Sequence, residues 1–377
     1  MIAKDTVLIV STSFPFSSDG SEAAGAFVAD FVEELSKHTS TRVVGPGPTE
    51  SVEDGDIPVW RFAAGNRPLS LLSPANPLHW TAILRTLRSL RRQVSAACAD
   101  HRVKHIVALW VLPSGWAARA VAKAHDIDYS IWALGSDIWS LGKLPIVGGL
   151  LRKVGKDARN AFADGIQLSK DAEKLCHRPF EFLPSSRKLS GIRSLPVATN
   201  PPYRLLFLGR WHINKGIDLL LEALHLLDDD DWRKIKEVHI AGGGPMENLV
   251  HAKISMLRKA GRPIRLSGYL SKEAAEQALG ETDRLLIPSR VESIPVVFSD
   301  ALSFGIPVVA MCVGDLPHLL RNGGGWVTEG LSSENFLSSL RSSLQSHEPT
   351  DHAIELRQTF SLVSVCSHVN AISRSHQ

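Results

Sequence analysis

The 377-residue chain has 44% hydrophobic and 21% charged residues and a formal net charge of +3, a balance that excludes an intrinsically disordered protein and a strongly basic nucleic-acid binder. Its length exceeds what one hydrophobic core organises, so two domains are expected. The four cysteines, Cys98, Cys176, Cys312 and Cys366, lack metal-ligand spacing and read as reduced thiols of a cytoplasmic protein, none of them a nucleophile.

The run TVLIVST, bounded by Asp5, reads as a first buried strand rather than a secretory signal. Further strands are expected at RVVGP, PVWRF, KHIVALW, DYSIWAL and DGIQLS, with helices over Ala23–Lys37, Leu78–Ala99, Gly115–His125 and Gly149–Phe162. The second half repeats the alternation with strands YRLLFLG, EVHIAG, PIRLSG, DRLLIPS, PVVAMC and GGWVTE, separated by helices. Strands alternating with crossover helices give an α/β fold of two doubly wound, Rossmann-like domains. The segment Ser185–Pro202, rich in Pro, Ser and basic residues, reads as the linker between residues 1–185 and 203–350. The tail over residues 351–377 has a loose helical pattern and is expected to pack back. The apolar window Ile294–Val313 holds Asp300, two prolines and a glycine, so it reads as helix, turn and strand rather than a membrane span.

In doubly wound sheets ligands bind beyond the carboxyl ends of the strands, which ranks the candidate residues. In GRWHINKG, Gly209, Arg210 and Lys215 follow the strand YRLLFLG and precede a helix, so two cations and helix amides can converge on a diphosphate. In PSRVESIPVVFSDALSFGIPVVA, Glu292 follows DRLLIPS and can accept from sugar hydroxyls. Asp300 lies eight residues on, about two helical turns, in a mostly apolar segment where an isolated charge is costly. Two acids and two bases in one half-chain point to a sugar nucleotide.

These segments resemble the retaining glycosyltransferases of family 4, of GT-B fold. The similarity rests on LGRWHINKGIDLLLEAL, IAGGGPMENL and PSRVESIPVVFSDALSFGIPVVA, and more loosely on FPFSSDGSEAAGAFVADFVEELSKH, LWVLPSGWAARA and LGSDIW. The resemblance implies that the two domains face each other across a cleft. It implies that Arg210 and Lys215 hold the diphosphate of a nucleotide sugar, Glu292 the transferred sugar and Asp300 the ribose. It also implies that amides near Ile294, Pro295 and Val296 approach the phosphates and that Tyr269 and Leu270 border the base. The chain departs from the family pattern at Asp300, usually Glu, at Pro295, usually Gly, and at Leu134, where many relatives have His. Preplaced cations would stabilise the departing diphosphate as the glycosyl bond lengthens, with no protein nucleophile required.

Asp-x-Asp pairs at Asp54/Asp56 and Asp126/Asp128 precede strands, on the wrong edge of the sheet for the site, and Asp228–Asp231 reads as a surface loop; no metal or other cofactor is expected. In the first domain Gly25, Gly115 and Asp137 follow strands, with Gly25 placed to approach the donor and Asp137 to bind an acceptor; a turn glycine and a capping Asp are the alternative. Trp110, Trp116, Trp132 and Trp139 read as core, with a sugar platform second. Arginines interleaved with apolar residues over Ile83–Val94, and GKLPIVGGLLRKVGK with Lys143, Arg152, Lys153 and Lys156, leave open an anionic membrane surface beside ordinary amphipathic helices. The expected activity is sugar transfer to a lipid-linked or envelope polysaccharide acceptor at the cytoplasmic face. The competing readings are transfer to a soluble small molecule and a non-catalytic nucleotide-sugar-binding protein.

Overall fold

The computed structural model describes residues 5–16, 23–65, 69, 72, 76–143, 145–346 and 352–374. Residues 17–22 of the FPFSSDGSEAAGAF segment, residue 351 of the tail and the side chain of Lys143 lie outside the described residues. The chain divides into two compact units: the described residues up to 185 with 362–374, and residues 186–346 with 352–361.

In the first unit β1 (Thr6–Val10), α1 (Ala23–Ser36), β2 (Ser40–Gly47), β3 (Ser51–Glu53), β4 (Val59–Ala63), α2 (Trp80–Cys98), β5 (Val103–Leu109), α3 (Ser114–His125), β6 (Asp128–Ala133), α4 (Ser136–Trp139), α5 (Pro145–Asp157), β7 (Asn160–Ala163), α6 (Ile166–Cys176) and β8 (Glu181–Phe182) follow one another. They form a sheet of order β3-β4-β2-β1-β5-β6-β7-β8, parallel except for the β3–β4 pair. Every residue of β1 is buried, as a strand covered by helices on both faces requires.

The second unit runs β9 (Tyr203–Leu208), α7 (Ile217–His225), α8 (Asp229–Arg233), β10 (Ile235–Ala241), α9 (Glu247–Lys259), β11 (Ile264–Ser267), α10 (Lys272–Glu281), β12 (Arg284–Ile287), α11 (Val296–Phe304), β13 (Val308–Ala310), α12 (Leu316–Leu319), β14 (Gly325–Val327), α13 (Ser333–Gln345) and α14 (His352–Thr359). Its sheet has the order β11-β10-β9-β12-β13-β14 and is parallel throughout. The order reverses between β9 and β12, which pair directly through Leu205↔Arg284 and Leu206↔Leu285. In the first sheet the reversal falls between β1 and β5.

The last helix, α15 (Leu362–Arg374), belongs to the first unit and packs on α1. Its buried residues Leu362, Val365, Cys366 and Val369 recur at helical spacing, and removing side chains such as Leu362 and Val365 from water contributes about 1.5–3 kcal/mol each. The preceding α14 stays with the second unit, against α11, so the return begins at 362 rather than 351.

Two expectations are corrected. DGIQLS is not a strand: β7 is Asn160–Ala163, overlapping the end of the expected helix Gly149–Phe162, and Ile166 opens α6. Ala-Phe-Ala, with no clear local preference, is drawn into the sheet by parallel pairing with β6, so tertiary context decides the element. The run Asp228–Asp231 is not a surface loop, because Asp228 and Asp231 form a reciprocal capping box at the start of α8 and Asp231 accepts from Arg341 at 2.7 Å. The expected linker Ser185–Pro202 begins where the two units divide, and from residue 186 it is strapped to the second unit. Arg193 donates to the carbonyls of Leu195, Thr282, Leu279 and Phe304, and buried Asp283 accepts from the amides of Ala198 and Arg204 at 2.8 Å each.

Cys98, Cys176 and Cys366 are buried free thiols, pushed up to about 12 chiefly by desolvation. Each sheet also holds one buried histidine on a neighbouring serine: His105 on Ser130 at 2.8 Å and His239 on Ser267 at 2.9 Å.

Candidate functional site

The β9–β12 reversal in the second unit brings two loops side by side at the carboxyl ends of their strands, the position where doubly wound sheets bind ligands. The first loop leaves β9 at Gly209, whose amide reaches Ala241 O at 3.1 Å, and continues through Arg210 to a single turn over Ile213–Lys215. His212 caps that turn, its ring nitrogen accepting from the Asn214 amide at 3.2 Å. Gly216 closes it at φ +66°, where a Cβ would stand 1.8 Å from Pro288 O. Only glycine allows the first loop to run this close to the loop after β12.

Arg290 joins the two loops. Its amide donates to Asn214 O at 2.8 Å and its guanidinium to Ile213 O at 2.7 Å, while Asp218 of α7 grips it at 2.7 and 2.6 Å. Burial raises the Asp218 carboxyl, but its contacts with Arg290 outweigh that and hold it below the usual range. Both lie within the segments that carry the resemblance, where neither is singled out, and only their contacts reveal the staple.

The staple brings Lys215 onto Glu292, with Nζ against Oε1. The Lys215 side chain is 33% exposed and that of Glu292 13%, so the pair borders solvent and is open to a competing ligand. Behind Glu292 the β13 loop presses in at Gly314, φ +54°, where a Cβ would lie 2.0 Å from Ser293 O and 2.5 Å from Glu292 O. Arg210 is exposed. Desolvation, then the charges of Arg210 and Lys215, hold the His212 imidazole below its ordinary range, the sign expected in a cationic loop.

Glu292 is followed by the N-terminus of α11, whose N-cap is Pro295 with no side-chain cap, leaving its first amides to a ligand or water. Ile294 and Pro295 are buried and Val296 half-buried, so Ile294 has only main chain to offer, while Pro295, lacking an N–H, cannot supply the amide expected of it and the first free amides are those of α11. Tyr269 is 37% exposed, donates to Gly243 O at 2.8 Å and lays its ring against Gly243; Leu270 beside it is half-buried.

Asp300 is 2% exposed. Its Oδ2 lies 3.8 Å from Arg187 Nη1, a residue of the strapped segment that the sequence gives no reason to single out. The charge that burial makes costly is therefore compensated from within the chain.

In the first unit Asp137 is 1% exposed, and its carboxylate accepts from the amides of Val111 at 2.6 Å and Leu134 at 3.3 Å. Burial, partly offset by these amides, pushes its carboxyl up to about 6. Asp137 holds the turns after β5 and β6 together, which replaces the acceptor contact expected of it. Gly25 is buried in the first turn of α1 against Pro15, and Gly115 is buried between Val154 and Ile131. Trp132 is core, with its indole donating to Leu183 O at 2.9 Å. Trp139 and Trp116 pack on the core, and Trp110 is half-buried beside Phe27.

Among the described residues no group of three or more His, Cys, Asp or Glu is placed to hold a metal ion. Asp126 caps α3, and Asp128 opens β6 bound to Arg159 at 2.9 Å. Among the described residues no helix is long and apolar enough to cross a membrane.

Residues 202–346 match the family of glycosyl transferases group 1. That stretch contains both loops, the Lys215–Glu292 pair and α11, but not Arg187. The chain spans about a third of the length of the curated relatives it matches. D-inositol 3-phosphate glycosyltransferase of Geodermatophilus obscurus, for example, is 32% identical over 151 residues, which is 38% of this chain and 34% of that protein. Among solved structures, sucrose-phosphate synthase from Thermosynechococcus elongatus superposes over 98% of both chains with a TM-score of 0.76 at 14% identity. HepE of Anabaena, in complex with UDP and glucose, superposes over 98% of this chain and 99% of its own with a TM-score of 0.69 at 15% identity. At such identity the likeness is one of fold, and the fold is GT-B, with two α/β units of Rossmann type.

Proposed function

We propose that the chain is a retaining glycosyltransferase of family 4 that transfers a sugar from a nucleotide diphosphate sugar. The observation that carries this reading is the Lys215–Glu292 pair, set beside Arg210 and the uncapped start of α11 at the β9–β12 reversal. A diphosphate arriving there competes with Glu292 for Lys215, which frees the carboxylate to accept from sugar hydroxyls as the anion is taken up. Arg210, Lys215 and the α11 amides then stabilise the charge that grows on the leaving phosphate, with no metal required. The acceptor attacks from the leaving-group face, and the departing phosphate oxygen takes its proton. Tyr269, Leu270 and the Asp300 turn of α11 lie toward the nucleoside.

The test is a thermal-shift screen with UDP-, GDP- and ADP-sugars, where a ligand at 100 times its Kd adds roughly 2.7 kcal/mol of stability. A selective shift that disappears in Arg210→Ala supports the reading, and a flat response to every nucleotide sugar defeats it. Donor turnover at background despite a shift would leave a non-catalytic nucleotide-sugar-binding protein.

For the acceptor we propose a lipid-linked or envelope polysaccharide precursor met at an anionic membrane surface. In support, the outer face of α2 and the turn before it expose Leu78 (86%), Trp80 (54%) and Leu84 (48%) beside exposed Arg85, Arg88 and Arg91, an apolar and cationic face of the kind that binds such surfaces. In α5, by contrast, Leu151 and Val154 are core, so its basic residues are the solvent face of an ordinary amphipathic helix. Flotation with vesicles containing anionic lipid checks the proposal, and a chain that stays at the bottom of the gradient would point to a soluble acceptor.

A further inference from the structure

The first loop of the site pivots on His212. Its N–H donates to Arg210 O at 2.9 Å and its C=O accepts from the Lys215 N–H at 2.9 Å, so the main chains of both cations are held against it. A three-residue turn and the helical turn Ile213–Lys215 meet at this residue. Trp211 on one side is 2% exposed and is bound to the turn after β10 through Gly243 O at 2.8 Å and the Met246 amide at 3.1 Å. His212 itself is half-buried, on a loop whose Arg210 is exposed and whose Lys215 side chain borders solvent.

Capping fixes the chemistry of the ring. The Asn214 N–H donates to Nδ1 at 3.2 Å, and a nitrogen that accepts carries no proton, so the proton of the neutral imidazole is assigned to Nε2. Arg210 and Lys215 oppose a third positive charge beside them, which keeps the ring in that neutral tautomer. Among the described residues Nε2 has no hydrogen-bond partner. It is a donor without an acceptor between two cations, a setting that suits an anionic oxygen. Capping alone does not call for imidazole, since asparagine is among the side chains that cap best.

We propose that His212 is a third binding residue for the diphosphate, donating its Nε2–H to a phosphate oxygen held between Arg210 and Lys215. This rests on the nucleotide-sugar reading above and deepens it, adding a neutral donor to the two cations. Lys215 attracts the anion as a compact point charge. An imidazole whose tautomer is fixed by its own turn adds direction, without placing more positive charge on the loop.

Two variants separate the cap from the donor. In His212→Asn the amide oxygen stands where Nδ1 stands and keeps the cap, but nothing replaces Nε2–H. In His212→Gln the amide nitrogen stands where Nε2 stands and keeps the donor, while the cap is lost. Both are compared with the unaltered chain by calorimetric titration with UDP, GDP and ADP and by thermal melts without ligand. His212→Asn is expected to bind the nucleotide roughly tenfold more weakly, the worth of one charge-assisted hydrogen bond, at an unchanged melting temperature. His212→Gln is expected to keep its affinity within about threefold while melting about 2–4 °C lower. Unaltered affinity in His212→Asn would overturn the proposal and leave His212 a cap alone, as would a loss of affinity confined to His212→Gln. Failure of all three nucleotides to bind the unaltered chain would instead sink the underlying donor reading and take this inference with it.

Discussion

The two units place the reversal of strand order alike but line it differently. In the second unit the loops at β9 and β12 bring Arg210, Lys215 and Glu292 to a solvent-bordering position, stapled from behind by Arg290 and Asp218. In the first unit the polar group near the reversal, Asp137, is turned inward and spent on the amides of Val111 and Leu134. The same topology thus yields a solvent-bordering charged pair in one unit and a self-satisfied turn in the other. The difference lies in whether the side chains at the strand ends find partners in their own backbone.

The largest expected effect probes that division directly. Lys215→Ala should lower the sugar-transfer rate roughly 10²–10³-fold, the cost typical of removing a group that stabilises developing charge, with little change in the melting temperature of the ligand-free chain. Steady-state transfer assays beside thermal melts would check this, and an equal loss of rate in Asp137→Asn would break the comparison between the units. Next comes Gly216→Ala, whose Cβ would collide with Pro288 O at a backbone angle costing about 1–3 kcal/mol by itself. Both the melting temperature and the nucleotide-induced shift should fall, because the contact between the two loops is lost. Asp137→Ala leaves two main-chain amides without their acceptor, worth roughly 1–3 kcal/mol. Its melting temperature should drop while the nucleotide-induced shift stays at the unaltered value.

The smallest effect is on pH dependence. Burial lowers His105 and His239 to about 4, so both are neutral in the folded chain at pH 7. Their contribution is fully present above the unfolded value near 6.5 and is lost as pH falls from there toward 4. Asp137, raised to about 6, acts in the opposite sense, because between about 3.8 and 6 the folded state holds a proton the unfolded chain has given up. Acid destabilisation should therefore be partly offset in the first unit and weigh more on the second. Urea melts at pH 7 and pH 5 would show it, with His239→Gln and His105→Gln each flattening the difference and Asp137→Asn steepening it.

Much of the architecture is legible along the chain. Runs such as TVLIVST, YRLLFLG and DRLLIPS mark strands because parallel strands buried on both faces must be apolar throughout. The helix Ile217–His225 is marked equally well by its mostly apolar run, broken by Asp218, Glu222 and His225. NAFA is not legible, because nothing in four mostly small residues separates strand from helix until β6 offers a partner. The basic loop and the acid after DRLLIPS could be singled out because position beyond a strand end is a one-dimensional property. Arg187, Arg290 and Asp218 could not, since each matters only through a residue 72 or more positions away.

The sequence by itself determined that the chain forms two α/β units with parallel sheets and which loops follow the strand ends, because hydrophobic period and chain order carry that information. Only the tertiary structure decided which charges meet. It set Glu292 on Lys215, put Arg187 over Asp300 and turned Asp137 inward. Such pairings depend on which strands become neighbours and how closely their loops approach, and those distances are fixed by packing rather than by spacing along the chain.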